Sequence, residues 1–251
     1  MNIIKQVKAI ARETLMHYVM SKAAKNLKRA CLRDEPEDVV HLAFNFRSVF
    51  HIPLLSKEII VDIKPVQIFD ELLNLAKITY KLRPKNILEI GTAKGGTLFL
   101  FCRISLPNAT VISIDLPGGP FGGGYPIYRT LLYRAFVKPG QRIHLIRADS
   151  HDPRTLEKVK EVLKGESLDV LFIDGDHTYE GVKRDFEMYS PLVRKGGIIA
   201  FHDIVPHNKL HDPEGIVGVS RFWNGIKHNY RYLEVVKDWN QGWAGIGVLY
   251  V

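Results

Sequence analysis

The hydrophobic positions after residue 85 fall into short apolar runs that alternate with longer helical patterns. Each run is rich in Ile, Val and Leu, lacks polar alternation and is bounded by turn residues, which is typical of strands covered on both faces. The runs predict a parallel sheet, and they are NILEI (86–90), TVISI (110–114), IHLIRA (143–148), DVLFI (169–173) and GIIAF (197–201).

Between the fourth and fifth runs, apolar residues recur at helical spacing. Val182, Phe186, Tyr189 and Leu192 form the stripe of a crossover helix, which predicts a doubly wound α/β fold. Near the end of the chain, RYLEVVK (231–237) and GIGVLYV (245–251) predict an antiparallel strand pair at the edge of the sheet.

The N-terminal segment has a different pattern, with apolar residues at helical spacing and basic residues between them, and it predicts one or two amphipathic helices. Residues 1–33 hold eight Lys or Arg and one Glu, and so most of the net charge of +8. We favour packing of these helices on their own domain or on a second subunit, which leaves a homo-oligomer open, over contact with RNA or an acidic membrane surface. We therefore divide the chain into a helical extension (1–64) and a main domain (65–251).

Composition narrows the class of protein. Hydrophobic residues make up 46% and charged residues 25% of the chain, and no window offers the roughly 18 apolar residues of a membrane span. Cys31 and Cys102 are isolated, which suggests neither a disulfide framework nor a zinc site. The N-terminus lacks the order of a secretory signal. Together these features favour a soluble, cytoplasmic protein.

A glycine-rich turn, EIGTAKGGTLFLF, follows the first predicted strand. A strand, a glycine turn and a helix N-terminus in succession let a ligand approach free backbone N–H groups, so a nucleotide-type ligand is expected. As a G-x-G-x-x-G motif the turn is imperfect, because Ala93 stands between Gly91 and Gly96. Asp115 ends the second strand, where a carboxylate can accept hydrogen bonds from ribose hydroxyls.

Asp149 ends the third strand in RADSHDP, from where its side chain can reach an adenine. Ser150 and Asp152 follow it, and they can equally cap a helix that begins near Arg154. Both interpretations stay open at this point.

In this order, Glu89-Ile90-Gly91 with its turn, Asp115 and Asp149 resemble class I S-adenosylmethionine-dependent methyltransferases over roughly residues 65–251. The resemblance implies a Rossmann-like, seven-stranded, mostly parallel sheet whose last strand is antiparallel. It also implies S-adenosylmethionine as cofactor, with Glu89 and Gly91 at its methionine end and Asp115 at its ribose. The expected cofactor-binding residues are Glu89, Gly91, Thr92, Ala93, Gly96, Asp115, Asp149 and Ser150.

The fourth strand ends in FIDGDHTYEG and the fifth in FHDI, and ligands of open α/β sheets bind outside such carboxyl ends. Asp174, His202 and Asp203 can therefore converge there, which makes a site for a hard divalent cation possible. The two motifs resemble the metal-dependent O-methyltransferase and cephalosporin hydroxylase-like branch. The resemblance implies Asp174, His202 and Asp203 as ligands of Mg²⁺ or another divalent cation and, through the Asp-x-x-His pattern, His177 as general base. His202 departs from that branch, because imidazole is a less natural magnesium ligand than oxygen. A different metal, no metal, or a cluster of turn and helix-capping residues remain alternatives.

Two loops border this predicted site. LPGGPFGGGYPIYR (116–129) is either a mobile loop over the adenosine or a flexible surface excursion. The segment from Val205 to Trp223 is the best candidate for a lid, and its His207, His211 and Asp212 either contact substrate or are solvated.

The combined motifs predict a methyltransferase that acts on a hydroxyl of a small molecule such as a sugar, glycoside or polyketide, with His177 taking the proton. Two other classes stay open. One is a metal-dependent hydrolase or hydroxylase that uses the same acidic cluster, and the other is an RNA-binding or RNA-modifying module that uses the basic N-terminus.

Overall fold

The computed structural model describes residues 3–52, 57–119 and 124–251. Its strands are β1 (Arg47–Ile52), β2 (Lys57–Asp62), β3 (Asn86–Ile90), β4 (Thr110–Ile114), β5 (Arg142–Ile146), β6 (Leu168–Ile173), β7 (Val193–His202), β8 (Arg231–Val235) and β9 (Ile246–Tyr250). Its helices are α1 (Ile3–Ala30), α2 (Pro36–Asn45), α3 (Phe69–Leu82), α4 (Gly96–Ile104), α5 (Thr130–Tyr133), α6 (Pro153–Leu163), α7 (Tyr179–Tyr189) and α8 (Val219–Ile226).

Seven strands form one sheet in the order β5-β4-β3-β6-β7-β9-β8. The strands from β5 to β7 in this order are parallel, and β9 runs antiparallel to both of its neighbours. The predicted doubly wound, mostly parallel sheet with an antiparallel last strand is confirmed. β3 lies near the middle, between β4 and β6, so the chain reverses its direction of winding there.

Both faces of the sheet are covered, as the unbroken apolar runs predict. Neighbouring residues of β3 point to opposite faces, so Ile87 joins the hydrophobic cluster that includes α1 to α4 and Leu88 joins the cluster under α6, α7 and α8. The predicted crossover helix is α7, which begins after the N-cap Thr178. It ends before Leu192, which lies in a short 3₁₀ turn instead.

The N-terminal pattern forms a single helix, α1, of 28 residues. The cluster of the main sheet buries four residues of α1, which are Val19, Met20, Ala23 and Leu27. Helix α1 therefore packs on its own domain.

Helix α2 and the antiparallel hairpin of β1 and β2 were not predicted. The boundary between residues 64 and 65 stays a prediction. Within the described residues, no helix combines the length and apolar character needed to cross a membrane.

Candidate functional site

A cavity of about 550 Å³ lies at the carboxyl edge of the sheet, where β3, β4, β5, β6 and β7 end. Its volume falls in the range of small-molecule binding sites. The structure brings all but one of the predicted site residues to its wall: Gly91, Thr92, Ala93, Gly96, Asp115, Asp149, Ser150, Asp174, His177, His202 and Asp203.

The glycine turn after β3 lies directly against the backbone at the end of the neighbouring strand β6. Gly91 has φ +91°, and a Cβ at this position would lie 1.9 Å from the carbonyl oxygen of Asp174. Its N–H donates to the carbonyl of Ile114 at 2.9 Å, and the N–H of Asp174 donates to that of Ile90 at 2.8 Å. Helix α4 begins five residues later at Gly96, so the positive end of its dipole faces the cavity.

Glu89 is the exception among the predicted cofactor residues, because it lies behind the cavity wall and is fully buried. Its carboxyl group accepts a hydrogen bond from the hydroxyl of Thr97, in the first turn of α4. Burial raises the pKa of Glu89 well above its ordinary value. This residue supports the glycine turn from within the protein.

Asp115 joins the glycine turn to the glycine-rich loop. Its carboxylate accepts hydrogen bonds from the N–H groups of Thr92 at 3.3 Å, Ala93 at 3.1 Å and Gly124 at 2.8 Å. Burial raises its pKa, although these three N–H groups act in the opposite direction. Residues 120–123 lie outside the described residues, so the predicted loop over the adenosine stays a prediction.

Of the two candidate caps that follow β5, Asp152 is the N-cap of α6, since it accepts a hydrogen bond from the N–H of Arg154. Ser150 lies on the cavity wall instead. The exposed carboxylate of Asp149 accepts a hydrogen bond from the N–H of His151 at 2.8 Å.

Asp203 is the centre of a buried polar cluster. One of its oxygens lies 2.6 Å from Nδ1 of His177, and the other lies 2.9 Å from Nε2 of His207 and 3.1 Å from the N–H of Ala244. Asp203 also has φ +64°, a conformation that costs a non-glycine residue about 1–3 kcal/mol and that clusters at functional sites.

Asp174 lies on the other side of this cluster. Nδ1 of His202 is 3.1 Å from one of its oxygens and 3.4 Å from an oxygen of Asp203, so the ring bridges the two carboxylates. The second oxygen of Asp174 accepts a hydrogen bond from the side-chain amide of Gln67 at 2.6 Å. Both carboxylates are therefore held by donors from other elements of the fold.

The charges of the cluster shift its proton affinities. Burial disfavours the imidazolium of His177, but the hydrogen bond to Asp203 and the nearby negative charges outweigh burial and raise the pKa of His177. The same balance holds the pKa of His202 well above its ordinary value. Burial alone would raise the pKa of Asp203, yet the charge of His202 and three histidine contacts hold it well below its usual range.

Candidate ligand atoms of Asp174, His177 and Asp203 lie within 4.8 Å of one another. The predicted set contained His202 in place of His177. Mg²⁺ prefers oxygen ligands and keeps several waters, whereas here the ring of His202 already bridges the carboxylates that an ion would have to bridge. Two of the three predicted ligands, Asp174 and Asp203, thus belong to the group that could hold an ion, and the metal itself stays a prediction.

Sequence reasoning missed two side chains of this site. Gln67 comes from the segment between β2 and α3, and Trp243 comes from the segment before β9. The interpretation of His207 as solvated is wrong, because it is half-buried against Asp203. Asp212 accepts hydrogen bonds from two N–H groups of its own loop, at residues 216 and 217. No local motif marks Gln67 or Trp243, since only the fold brings them to the cavity.

Residues 88–204 match a protein family described as "Methyltransferase domain". An uncharacterized protein of Acanthamoeba polyphaga mimivirus is 33% identical over 135 residues, which cover 54% of this chain and 58% of the viral protein. A probable caffeoyl-CoA O-methyltransferase of Dictyostelium discoideum is 34% identical over 64 residues, or 26% of this chain and 27% of that protein. This chain thus spans less than two thirds of these relatives.

Among solved structures, an O-methyltransferase from Bacillus cereus in complex with SAH has a TM-score of 0.53 to this protein at 21% identity. The match covers 71% of this chain and 79% of the bacterial one. At this identity the likeness shows a shared fold, and it agrees with the strand order described above.

Proposed function

We propose, from the match of residues 88–204 to a methyltransferase domain, that the protein transfers a methyl group from S-adenosylmethionine to a hydroxyl group of a small molecule. The observation that carries the proposal is the pair of His177 and Asp203, 2.6 Å apart in the same cavity as the glycine turn and Asp115. A base oriented by a carboxylate beside a nucleotide-type site fits removal of a proton from an attacking hydroxyl.

The residues of the cavity fit the cofactor. The glycine turn and the N-terminus of α4 suit its carboxylate end. Asp115, at the end of β4, is the proposed contact of the ribose, and Asp149 and Ser150, one strand further, are the proposed contacts of the adenine. When bound, S-adenosylmethionine supplies an electrophilic methyl group on a sulfonium. In this proposal the nucleoside lies over the ends of β5, β4 and β3, which leaves the ends of β6 and β7 for the acceptor.

His177 is the catalytic base of this proposal. Its Nδ1 faces Asp203, which fixes the orientation of the ring and stabilises the imidazolium that forms when the ring takes the proton of the acceptor. His207 and Ala244 hold Asp203 from its other side. The carboxylate is therefore fixed before the acceptor arrives, and no movement of Asp203 is needed during the reaction.

The first test separates the cofactor site from the base. Titration calorimetry with S-adenosylhomocysteine checks binding, and absence of binding would refute the proposal. His177→Ala should retain that affinity but lose about a hundredfold or more in turnover, as expected for loss of a general base. The exposed His228 lies outside the cavity, so His228→Ala is a matched control that should keep full turnover. A His177→Ala variant with the turnover of this control would remove His177 from the mechanism.

A second test concerns the metal. Because His202 bridges Asp174 and Asp203, we expect turnover to persist after dialysis against EDTA and to be unchanged by added Mg²⁺. Loss of turnover in EDTA with recovery on addition of one particular divalent ion would instead support the metal-dependent mechanism that the sequence suggested.

A further inference from the structure

We propose that Trp243 and His211 form a stacking platform that binds a planar ring of the methyl acceptor, and that Glu71 positions this platform. The inference rests on the proposed function and names the part of the acceptor that the cavity selects. It starts from a ring pair on the cavity wall, of which the sequence pointed only to His211.

The platform lies at the end of the cavity opposite the nucleoside positions. Trp243 precedes β9, which is adjacent to β7, whereas Asp115 follows β4. Neighbouring strands lie about 4.8 Å apart. Because β9 is four strands away from β4, Trp243 lies about 19 Å from Asp115 across the sheet. Because β9 is next to β7, Trp243 lies only one strand away from Asp203. A ring on the platform is therefore beside the proposed base and beyond the ribose.

The two rings are stacked, with centroids 5.4 Å apart and planes inclined by 23°. Both line the cavity, and His211 is exposed while Trp243 is partly exposed. Val66 and Val217 add apolar surface to the same cavity. Flat aromatic faces next to apolar walls favour a ligand that presents a flat ring rather than a flexible chain.

The platform is held rigidly by two connected loops. The N–H of Asn208 donates to the carbonyl of Gly242 at 2.9 Å, and the N–H of Val205 donates to that of Ala244 at 2.9 Å. The loop of His211 is also tied to the site, because the N–H of Gly218 donates to the carbonyl of His177 at 2.8 Å. The predicted lid is thus fastened at both ends.

Glu71 fixes the loop of Trp243 from below. Its carboxylate, 1% exposed, accepts hydrogen bonds from the N–H groups of Lys237 at 3.0 Å and Gly245 at 2.9 Å and from the side-chain amide of Gln241 at 2.8 Å. The same amide donates to the carbonyl of Trp243. Glu71 acts on the acceptor through this loop, so it is a positioning residue.

The test uses 2-naphthol as a planar probe and decahydro-2-naphthol as a saturated probe of similar size. Calorimetry on the 251-residue chain, saturated with S-adenosylhomocysteine, measures the affinity for each probe. We expect the planar probe to bind more tightly, and Trp243→Ala to lose about tenfold or more of that affinity while Trp243→Phe keeps most of it. Trp239, 52% exposed in the same loop, provides the matched control, because Trp239→Ala should bind like the wild type.

The positioning role has its own readout. Glu71→Gln keeps the shape of the side chain but removes the charged acceptor, and it should weaken 2-naphthol binding without changing the affinity for S-adenosylhomocysteine. Equal affinity of the wild type for the two probes would refute the proposed platform. The same holds if Trp243→Ala binds 2-naphthol as tightly as Trp239→Ala does. Wild-type protein that binds S-adenosylhomocysteine but neither probe would also overturn it while leaving the proposed function standing; failure to bind S-adenosylhomocysteine would refute the proposed function itself.

Discussion

The close approach of the glycine turn to the end of β6 gives a quantitative prediction for Gly91→Ala. The added Cβ would lie 1.9 Å from the carbonyl oxygen and 2.5 Å from the carbonyl carbon of Asp174. These are backbone atoms, so no side chain can rotate away to relieve the contact. Either the turn or the end of β6 has to move.

Gly165→Ala is the control that separates this contact from backbone strain. Gly165 has φ +83° after the end of α6 and nothing within 4 Å of an added Cβ. It should therefore lose only the conformational term, about 1–2 kcal/mol. Gly91→Ala should lose a similar term and about 1–3 kcal/mol more for overpacking.

In a chain of this length, 1 kcal/mol corresponds to a melting-temperature shift of about 2–4 °C. Gly165→Ala should then melt about 2–8 °C and Gly91→Ala about 4–20 °C below the wild type in thermal denaturation followed by circular dichroism. Equal melting temperatures for the two variants would refute the close approach as a source of instability.

The same displacement should reach the polar cluster around Asp203, which includes the proposed base. Asp174 contacts His202 and Gln67 through its carboxylate, so a shift of its backbone disturbs the neighbours of the proposed base. At a temperature where both variants are folded, Gly91→Ala should lose S-adenosylhomocysteine affinity and turnover, whereas Gly165→Ala should keep both. Unchanged affinity and turnover in folded Gly91→Ala would show that the site does not depend on this contact.

Two further predictions concern ionisation and the cofactor. The base must be neutral to accept a proton, and the pKa of His177 is raised, so the turnover rate should rise with pH and reach half its maximum above the ordinary imidazole value of about 6.5. Asp203→Asn removes the main charge that raises this pKa, so the pH–rate profile should shift to lower pH while the maximal rate falls; an unshifted profile would contradict the pairing. Asp115→Ala should weaken S-adenosylhomocysteine binding about tenfold or more, since one carboxylate hydrogen bond to a ligand contributes about 1.5–3 kcal/mol. Unchanged affinity in calorimetry would show that Asp115 does not bind the ribose.

The sequence by itself determined the sheet and the position of the site along it. Five unbroken apolar runs predict strands buried on both faces, and these five strands and the predicted antiparallel pair appear in the structure with ends that differ by a few residues. Polar residues directly after such runs must lie at the carboxyl edge of a parallel sheet, which is why Asp115, Asp174, His202 and Asp203 reach one cavity as predicted. These features follow from the spacing of apolar residues along the chain and from the direction of its strands.

The pattern of apolar and polar residues did not predict every element that precedes the main sheet. The hairpin of β1 and β2 is half-exposed and short, so its alternation is too weak to distinguish it from a loop. Glu89 matched a motif but is buried behind the turn, because a motif records the type of a residue and not the direction of its side chain. These differences arise where the burial of a residue depends on the elements that pack against it and not on the local sequence.

Only the tertiary structure decided which polar groups meet. The pairing of His177 with Asp203 joins residues that are 26 positions apart, and Gln67 reaches Asp174 across 107 positions. Hydrogen bonds of this kind depend on distances of about 3 Å between separate elements, which no spacing along the chain specifies. The sequence determined where chemistry can occur in this protein, and the packed fold decided that a histidine bridges the two carboxylates and that a tryptophan lines the same cavity.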